Sequence, residues 1–185
     1  MPVLVVGLLI GVFVVLAWPA PGSGGGTRPE APAVATAVPT PVVTPVVTRA
    51  ASVRVEAHAA LLLGAWDRRR AAAWAVGDRD SLSALYVPGS RAGAADVAML
   101  DGWTGRGLTV RHLTTQLLGV RVLARGPRRW VLRVRDRVTG GVAAGAALTE
   151  PLSSGSEMER EIVLHRRGGS WRVASVRPVP AAGPR

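Results

Sequence analysis

RWVLRVRDRV, residues 129–138, reads as one β-strand with two unlike faces. Side chains alternate across a strand, so Trp130, Leu132, Val134 and Val138 fall on one side and Val131, Arg133, Arg135 and Arg137 on the other. One side is apolar. The other is a ladder of arginines. Asp136 interrupts the apolar side near the strand's end and stands on the wrong face to supply the ladder with counter-charge. Like charges along one strand face repel, so the ladder calls for a counter-charge or a ligand.

The same period-two pattern extends to both sides of this stretch. Residues 108–125 read as one long strand with a bulge at Leu117-Leu118, or as two short ones, and Gly126-Pro127 turns the chain into residues 129–138. If residues 120–125 pair with residues 129–138, Arg121 and Arg125 join Arg133, Arg135 and Arg137 on one face. Residues 140–148, small and apolar, read as a separate edge strand, and residues 153–156 as a loop. Residues 161–166 and 171–177 form a hairpin around Arg167-Gly168-Gly169-Ser170.

Upstream, the period changes to that of helices. Leu62, Trp66, Ala73 and Trp74 recur at helical spacing within residues 52–76, and Gly77 stops the run. Residues 80–86 form a short second helix capped by Asp78 or Asp80, and Pro88-Gly89 breaks it. Ser90 caps a third helix with Ala94, Val97, Leu100 and Trp103 on one stripe. Helices followed by strands predict an α+β domain of about three helices packed on a strongly curved antiparallel sheet, over residues 51–178. Residues 179–185 are a disordered tail.

Composition bounds the chemistry. Cysteine is absent, which excludes a disulfide framework and a thiolate zinc site. His58, His112 and His165 stand in different elements, so no metal cluster is legible from spacing, and nothing calls for a cofactor. All 23 basic residues are arginine, as in GC-rich actinobacterial coding sequences. Residues 1–48 hold only Arg28 and Glu30, so the whole net charge of +11 belongs to the folded part. Such a domain is drawn to anionic lipid or polymer. Nucleic acid is disfavoured, because Trp130 alternates away from the arginines and leaves them without stacking aromatics.

The N-terminal 50 residues are of another kind. Residues 2–18, PVLVVGLLIGVFVVLAW, carry no charge and as a helix would span ~25 Å, near the lower limit for crossing a bilayer. Trp18 suits an interfacial anchor. Residues 1–20 are therefore expected to be a single-pass transmembrane anchor, the alternative being a signal peptide cut after Val15 and Ala17. The domain is expected outside the cytoplasm. Residues 21–50 are a Pro/Thr/Gly-rich disordered stalk in which Thr-Pro-Val-Val repeats at 40–43 and 44–47. Its proline-rich part would reach ~70 Å if extended. The Gly22–Gly26 run is no phosphate loop, since no strand precedes it and no Lys-Ser/Thr follows.

The helical stretch AWDRRRAAAWAVGDRDSLSALYVPGS and the closing HRRGGSWRVASV resemble the nuclear transport factor two-like, or SnoaL-like, superfamily. Gly77-Asp78, Leu82, Leu85-Tyr86 and Gly169-Ser170-Trp171-Arg172-Val173 carry the resemblance, over roughly residues 52–177. It implies a cone-shaped α+β fold. Enzymes of that group place acids or histidines inside the cone, and the candidates here are Asp67, Tyr86, Asp101 and His112. Asp67, beside three arginines, reads as a surface ion pair, and Tyr86 as a half-buried packing residue. His112 alternates with Leu108 and Val110 and could point inward. Anchored versions with such stalks resemble actinobacterial accessory proteins of envelope transport and secretion complexes.

The expectation is thus a membrane-anchored, extracytoplasmic binding or accessory module. Its anionic-partner face is Arg121, Arg125, Arg133, Arg135 and Arg137. Its partners are the membrane through residues 2–18 and a protein of an envelope complex, a second copy of the chain being left open. Two alternatives stand beside it. One is a SnoaL-like isomerase, cyclase or hydratase using His112 with Asp101 or Tyr86. The other is a cytoplasm-facing basic domain binding anionic lipid or nucleic acid.

Overall fold

The computed structural model describes residues 47–180. The expected anchor (residues 2–18), nearly all of the stalk and the end of the tail lie outside the described residues. Among those described, no helix is long and apolar enough to cross a membrane. Three helices, α1 (Val47–Val76), α2 (Arg79–Ala84) and α3 (Arg91–Thr104), precede five strands. These are β1 (Thr109–Arg125), β2 (Arg129–Ala144), β3 (Thr149–Pro151), β4 (Met158–Arg167) and β5 (Ser170–Pro178).

Each helix end follows from its local sequence. Helix α1 begins five residues before the apolar spacing predicts. It stops at Gly77, whose φ of 72° is the left-handed conformation that glycine adopts without strain. The Asp78 amide then reaches back to the Ala73 carbonyl at 2.9 Å, closing the helix end as in a Schellman motif. Asp78, rather than Asp80, caps α2 by accepting from the Ser81 amide at 2.9 Å. The Ser90 hydroxyl accepts from the Gly93 amide at 3.2 Å and caps α3.

The strands form one antiparallel sheet in the order β1-β2-β4-β5, with β3 pairing the far end of β2. Residues 140–144 are not a separate edge strand. They continue β2, pairing β1 at Thr109–Arg111 on one side and β3 on the other. The register between β1 and β2 slips at four places, between Arg111 and Thr114, Thr114 and Thr115, Leu117 and Gly119, and Val122 and Ala124. Extra residues on one strand bend it and increase its twist. These slips, of which the Leu117-Leu118 bulge is one, curve the sheet around the helices.

The apolar side of residues 129–138 faces inward as predicted. Trp130, Leu132 and Val134 are buried, with Ile162, Leu164 and Val173 from the neighbouring strands. The inner faces of α1 and α3 cover them with Ala59, Leu63, Trp74, Val97 and Leu100. Burying each large aliphatic side chain of this kind contributes roughly 1.5–3 kcal/mol. At one end of the sheet, Trp130 packs between His58 of α1 and Trp171 of β5, with ring centroids 5.6 and 5.5 Å away.

Candidate functional site

A cavity of about 130 Å³ lies between α1, α3 and the concave side of the sheet. Its wall is mostly apolar and aromatic, including Leu63, Trp66, Met99, Trp103 and Leu113. Three carboxylates stand at or beside it, and their surroundings differ.

Asp96 is fully buried on α3. Arg70 grips it with both ends of its fork, Nε to Oδ2 at 2.7 Å and Nη2 to Oδ1 at 2.5 Å. The Trp74 indole donates to Oδ1 at 3.3 Å and the Tyr86 hydroxyl to Oδ2 at 2.7 Å. A buried carboxylate is tolerable only when paired and hydrogen-bonded in this way. Burial works against the charged Arg70 guanidinium, but the adjacent Asp96 more than offsets it and holds the arginine's pKa above its ordinary value. Burial, with the Asp96 charge beside it, pushes the Tyr86 hydroxyl well above the usual phenol range.

Asp136 projects from the inner face of β2 and is buried against Arg160 of β4, whose Nε donates to Oδ1 at 3.1 Å. The acid that interrupts the apolar side of residues 129–138 thus has its partner inside the cone.

Asp67 is the third carboxylate. It lines the cavity, accepts from the Thr115 hydroxyl at 3.2 Å, and forms no ion pair among the described residues. Burial raises its pKa. Arg70 and the Thr115 bond oppose the rise, and the nearby Asp136 adds to it. The expectation of a surface ion pair is therefore corrected, because Asp67 faces inward.

Of the candidates Tyr86, Asp101 and His112, only Tyr86 borders the cavity, and it is held by Asp96. Asp101 is exposed and pairs with Arg79 at 3.2 Å. His112 is exposed, with a φ of 54°, at the slip between Arg111 and Thr114. That irregularity breaks the alternation with Leu108 and Val110, and Leu113 lines the cavity instead. The three residues do not converge. Among the described residues no group of His, Asp or Glu could hold a metal ion.

The arginine face also differs from expectation. Arg121 lies opposite Arg133, as predicted. Arg125 does not join them. The slip between Val122 and Ala124 carries its guanidinium over the Trp130 ring, 5.3 Å from the centroid. Three of the four remaining arginines have polar neighbours. Arg133 lies 3.6 Å from Glu159, Arg135 pairs with Glu157 at 2.9 Å, and Arg137 donates to Gln116 at 2.9 Å. Strand β4 presents Glu159 and Glu161 directly opposite Arg135 and Arg133. The counter-charge comes from a strand whose register the sequence alone did not define.

The Arg70–Asp96–Tyr86 cluster is absent from the sequence reading. Its signal lay in two residues, Arg70 at the edge of the apolar stripe of α1 and Asp96 beside Val97 on α3.

No family model matches the chain, and no curated protein matches it. Solved structures do. The intermembrane space region of the chloroplast protein ARC6 is 9% identical, over 68% of this chain and 97% of that one, with a TM-score of 0.51. An ntf2-like protein with a cystatin-like fold from Novosphingobium aromaticivorans is 16% identical, over 77% and 94%, with a TM-score of 0.40. Aln2 from a Streptomyces species is 15% identical, over 65% and 89%, with a TM-score of 0.45. Likeness at these identities concerns the fold alone. With three helices laid into a bent antiparallel sheet around an interior cavity, the chain has the α+β cone architecture expected from its sequence and shares its fold with the ARC6 region.

Proposed function

We propose that this chain is a membrane-tethered, extracytoplasmic binding module that serves an envelope transport or secretion assembly, and that its cone holds a small apolar molecule without transforming it. The observation that carries the reading is that two of the three interior carboxylates are committed to arginines. Asp96 is bound by Arg70 and Tyr86, and Asp136 by Arg160, while the wall around them is apolar and aromatic. Groups locked in mutual hydrogen bonds stiffen a pocket and are not free to exchange protons with a guest. The volume is close to that of engineered cavities of about 150 Å³ that bind benzene. The uncharged run of residues 2–18 supports the tether, and the resemblance of anchored, stalked versions to envelope accessory proteins supports the assembly role.

Two measurements test this on the full-length chain. Membrane pellets are expected to retain it intact, and protease added to intact cells to release the domain by cutting the stalk. A soluble species lacking the first ~17 residues removes the tether, and a protected domain reverses the orientation. Titration with p-cresol is expected to change the emission of Trp66 and Trp103, which line the cavity. Leu113→Trp, which fills the space, is expected to abolish the change. Equal responses from both proteins exclude the cavity as the binding site.

One observation favours a second reading. Asp67 lines the cavity with its pKa raised by burial, the disposition of a general acid or base. In a SnoaL-like enzyme built on this chain, Asp67 would act and not His112. Asp67→Asn would then abolish turnover while leaving ligand binding in place. In a pure binding module the substitution alters neither the identity nor the integrity of a recovered ligand.

A further inference from the structure

Four arginines of the sheet gather at one end of it, around two turns. Arg128 and Arg129 at the β1–β2 turn, and Arg166 and Arg167 at the end of β4, are exposed. None forms an ion pair among the described residues, and neither Glu56 of α1 nor Glu161 of β4 reaches them. Cross-strand pairing sets Arg129 opposite His165, and the Arg166 amide donates to the Arg128 carbonyl at 2.9 Å, so the two turns are stitched side by side. Between Arg167 and Ser170 the loop is only Gly168-Gly169, with φ values of 55° and 80°. Left-handed geometry at both positions makes the tight hairpin turn that fixes the flanking arginines in place. An open hollow between the turns is lined by Pro127, these four arginines, His165 and the two glycines.

Helix α1 supplies the orientation. His58 lies beside Trp130, at the start of β2. Asp67 lies beside Thr115, which pairs Val138, and Gly77 lies near Thr109, which pairs Ala144. The helix therefore runs along β2 away from the paired turns. Its first residue, Val47, lies eleven positions before His58, or ~16 Å of helix, beyond the turn end of the sheet. The 46 residues that precede α1 enter the domain at the end where these four arginines gather.

We infer that this paired-turn end is a docking surface for anionic lipid headgroups of the bilayer that carries the anchor. The inference rests on the proposed reading of residues 2–18. Clustered guanidinium groups repel one another and gain when phosphates enter between them, each able to take a bidentate grip. The ladder of Arg133, Arg135 and Arg137 is not this surface, because Gln116 and the β4-side glutamates already occupy it.

The test uses the full chain with two kinds of vesicle, one of phosphatidylcholine alone and one with added phosphatidylglycerol. Flotation with neutral vesicles reports the anchor. Hydrogen exchange at residues 126–129 and 166–169 reports the docking. Exchange there is expected to slow with anionic lipid only, and to recover at high salt. Each basic residue near an anionic bilayer contributes a factor of about five to the partition. The Arg166→Gln/Arg167→Gln pair is thus expected to weaken the lipid-charge response roughly 25-fold, and replacement of all four arginines by Ser to remove it. Arg133→Ser/Arg135→Ser/Arg137→Ser is expected to keep it. Loss in that sheet-face variant with retention in the turn variants overturns the inference. So does protection that is the same in both vesicles, or protection by soluble polyphosphate and not by anionic lipid. Failure to float with neutral vesicles removes the anchor alone. Salt-sensitive binding to anionic vesicles then still decides the role of the turns.

Discussion

The Tyr86 hydroxyl donates to Asp96 Oδ2 at 2.7 Å, while Arg70 holds the same carboxylate by both of its oxygens. This relationship ties the loop after α2 to α3 and α1 through one buried charge. Asp96→Ala leaves the mostly buried Arg70 guanidinium without a partner. It is expected to destabilise the domain by about 3–5 kcal/mol. Tyr86→Phe removes one hydrogen bond to a charged group and is expected to cost about 1.5–3 kcal/mol. Urea unfolding followed by tryptophan emission measures both. Equal small losses would mean that the cluster is not a structural unit.

Close packing of α3 seats Tyr86 against Asp96. A Cβ built on Gly93 meets Tyr86 Cβ and Cγ at 2.7 Å, a distance that cannot be kept. Gly93→Ala is therefore expected to destabilise by roughly 1–3 kcal/mol, even though alanine has the higher helix propensity. An unchanged unfolding midpoint would show that α3 can shift away from the tyrosine.

Asp67 makes stability depend on pH in a defined direction. Burial raises its folded-state pKa above the model-peptide carboxylate value of 3.8. The protonated form is the one that the fold favours. Its stabilising contribution is complete below the unfolded value and is lost as pH rises through the folded value. Asp67→Asn removes the ionisation and is expected to be more stable than the parent at pH 7, with the difference shrinking towards pH 3.8. Thermal midpoints across this range check the sign. A variant that is less stable at neutral pH would mean that the ionised carboxylate is held by more than Thr115.

The outer sheet face tests the role of the β4-side glutamates. Pairs such as Arg135–Glu157 are half-exposed and contribute about 0–1 kcal/mol each. Arg133→Ser/Arg135→Ser/Arg137→Ser is expected to leave the fold intact with a small change in midpoint. Glu157→Gln/Glu159→Gln/Glu161→Gln removes the counter-charge and is expected to raise salt-sensitive heparin retention above the level that the paired turns give the parent. Unaltered retention would show that the ladder is not masked by its neighbours.

The alternation of residues 129–138 was enough to orient β2. Its inner side is buried as read, because a period-two pattern depends only on one strand's own side chains. Helix caps at Asp78 and Ser90 were legible for the same reason, since a cap is a local hydrogen bond. What escaped was set by pairing between distant segments. Counting alternate residues allows His112 to point inward, and an irregularity in β1 removes the basis for that count. The same arithmetic puts Arg125 on the ladder, whereas its guanidinium lies over Trp130. Glu159 and Glu161 face Arg135 and Arg133 only because β4 pairs with β2 in one register. Asp96 was hidden because a single acid in a run of alanines looks solvent-facing until α1 brings Arg70 against it.

The slips that curve β1 have a consequence for how the molecule keeps to itself. Among the described strands β1 is an edge, 17 residues long. An edge of that length with Leu117 and Leu123 exposed would otherwise be a template on which another chain could add a strand. Breaks in register at four places leave no long straight row of amide and carbonyl groups on offer. An incoming strand would have to reproduce each kink to stay bonded. The irregularity that turns a histidine out of the cavity therefore also protects the domain against edge-to-edge aggregation.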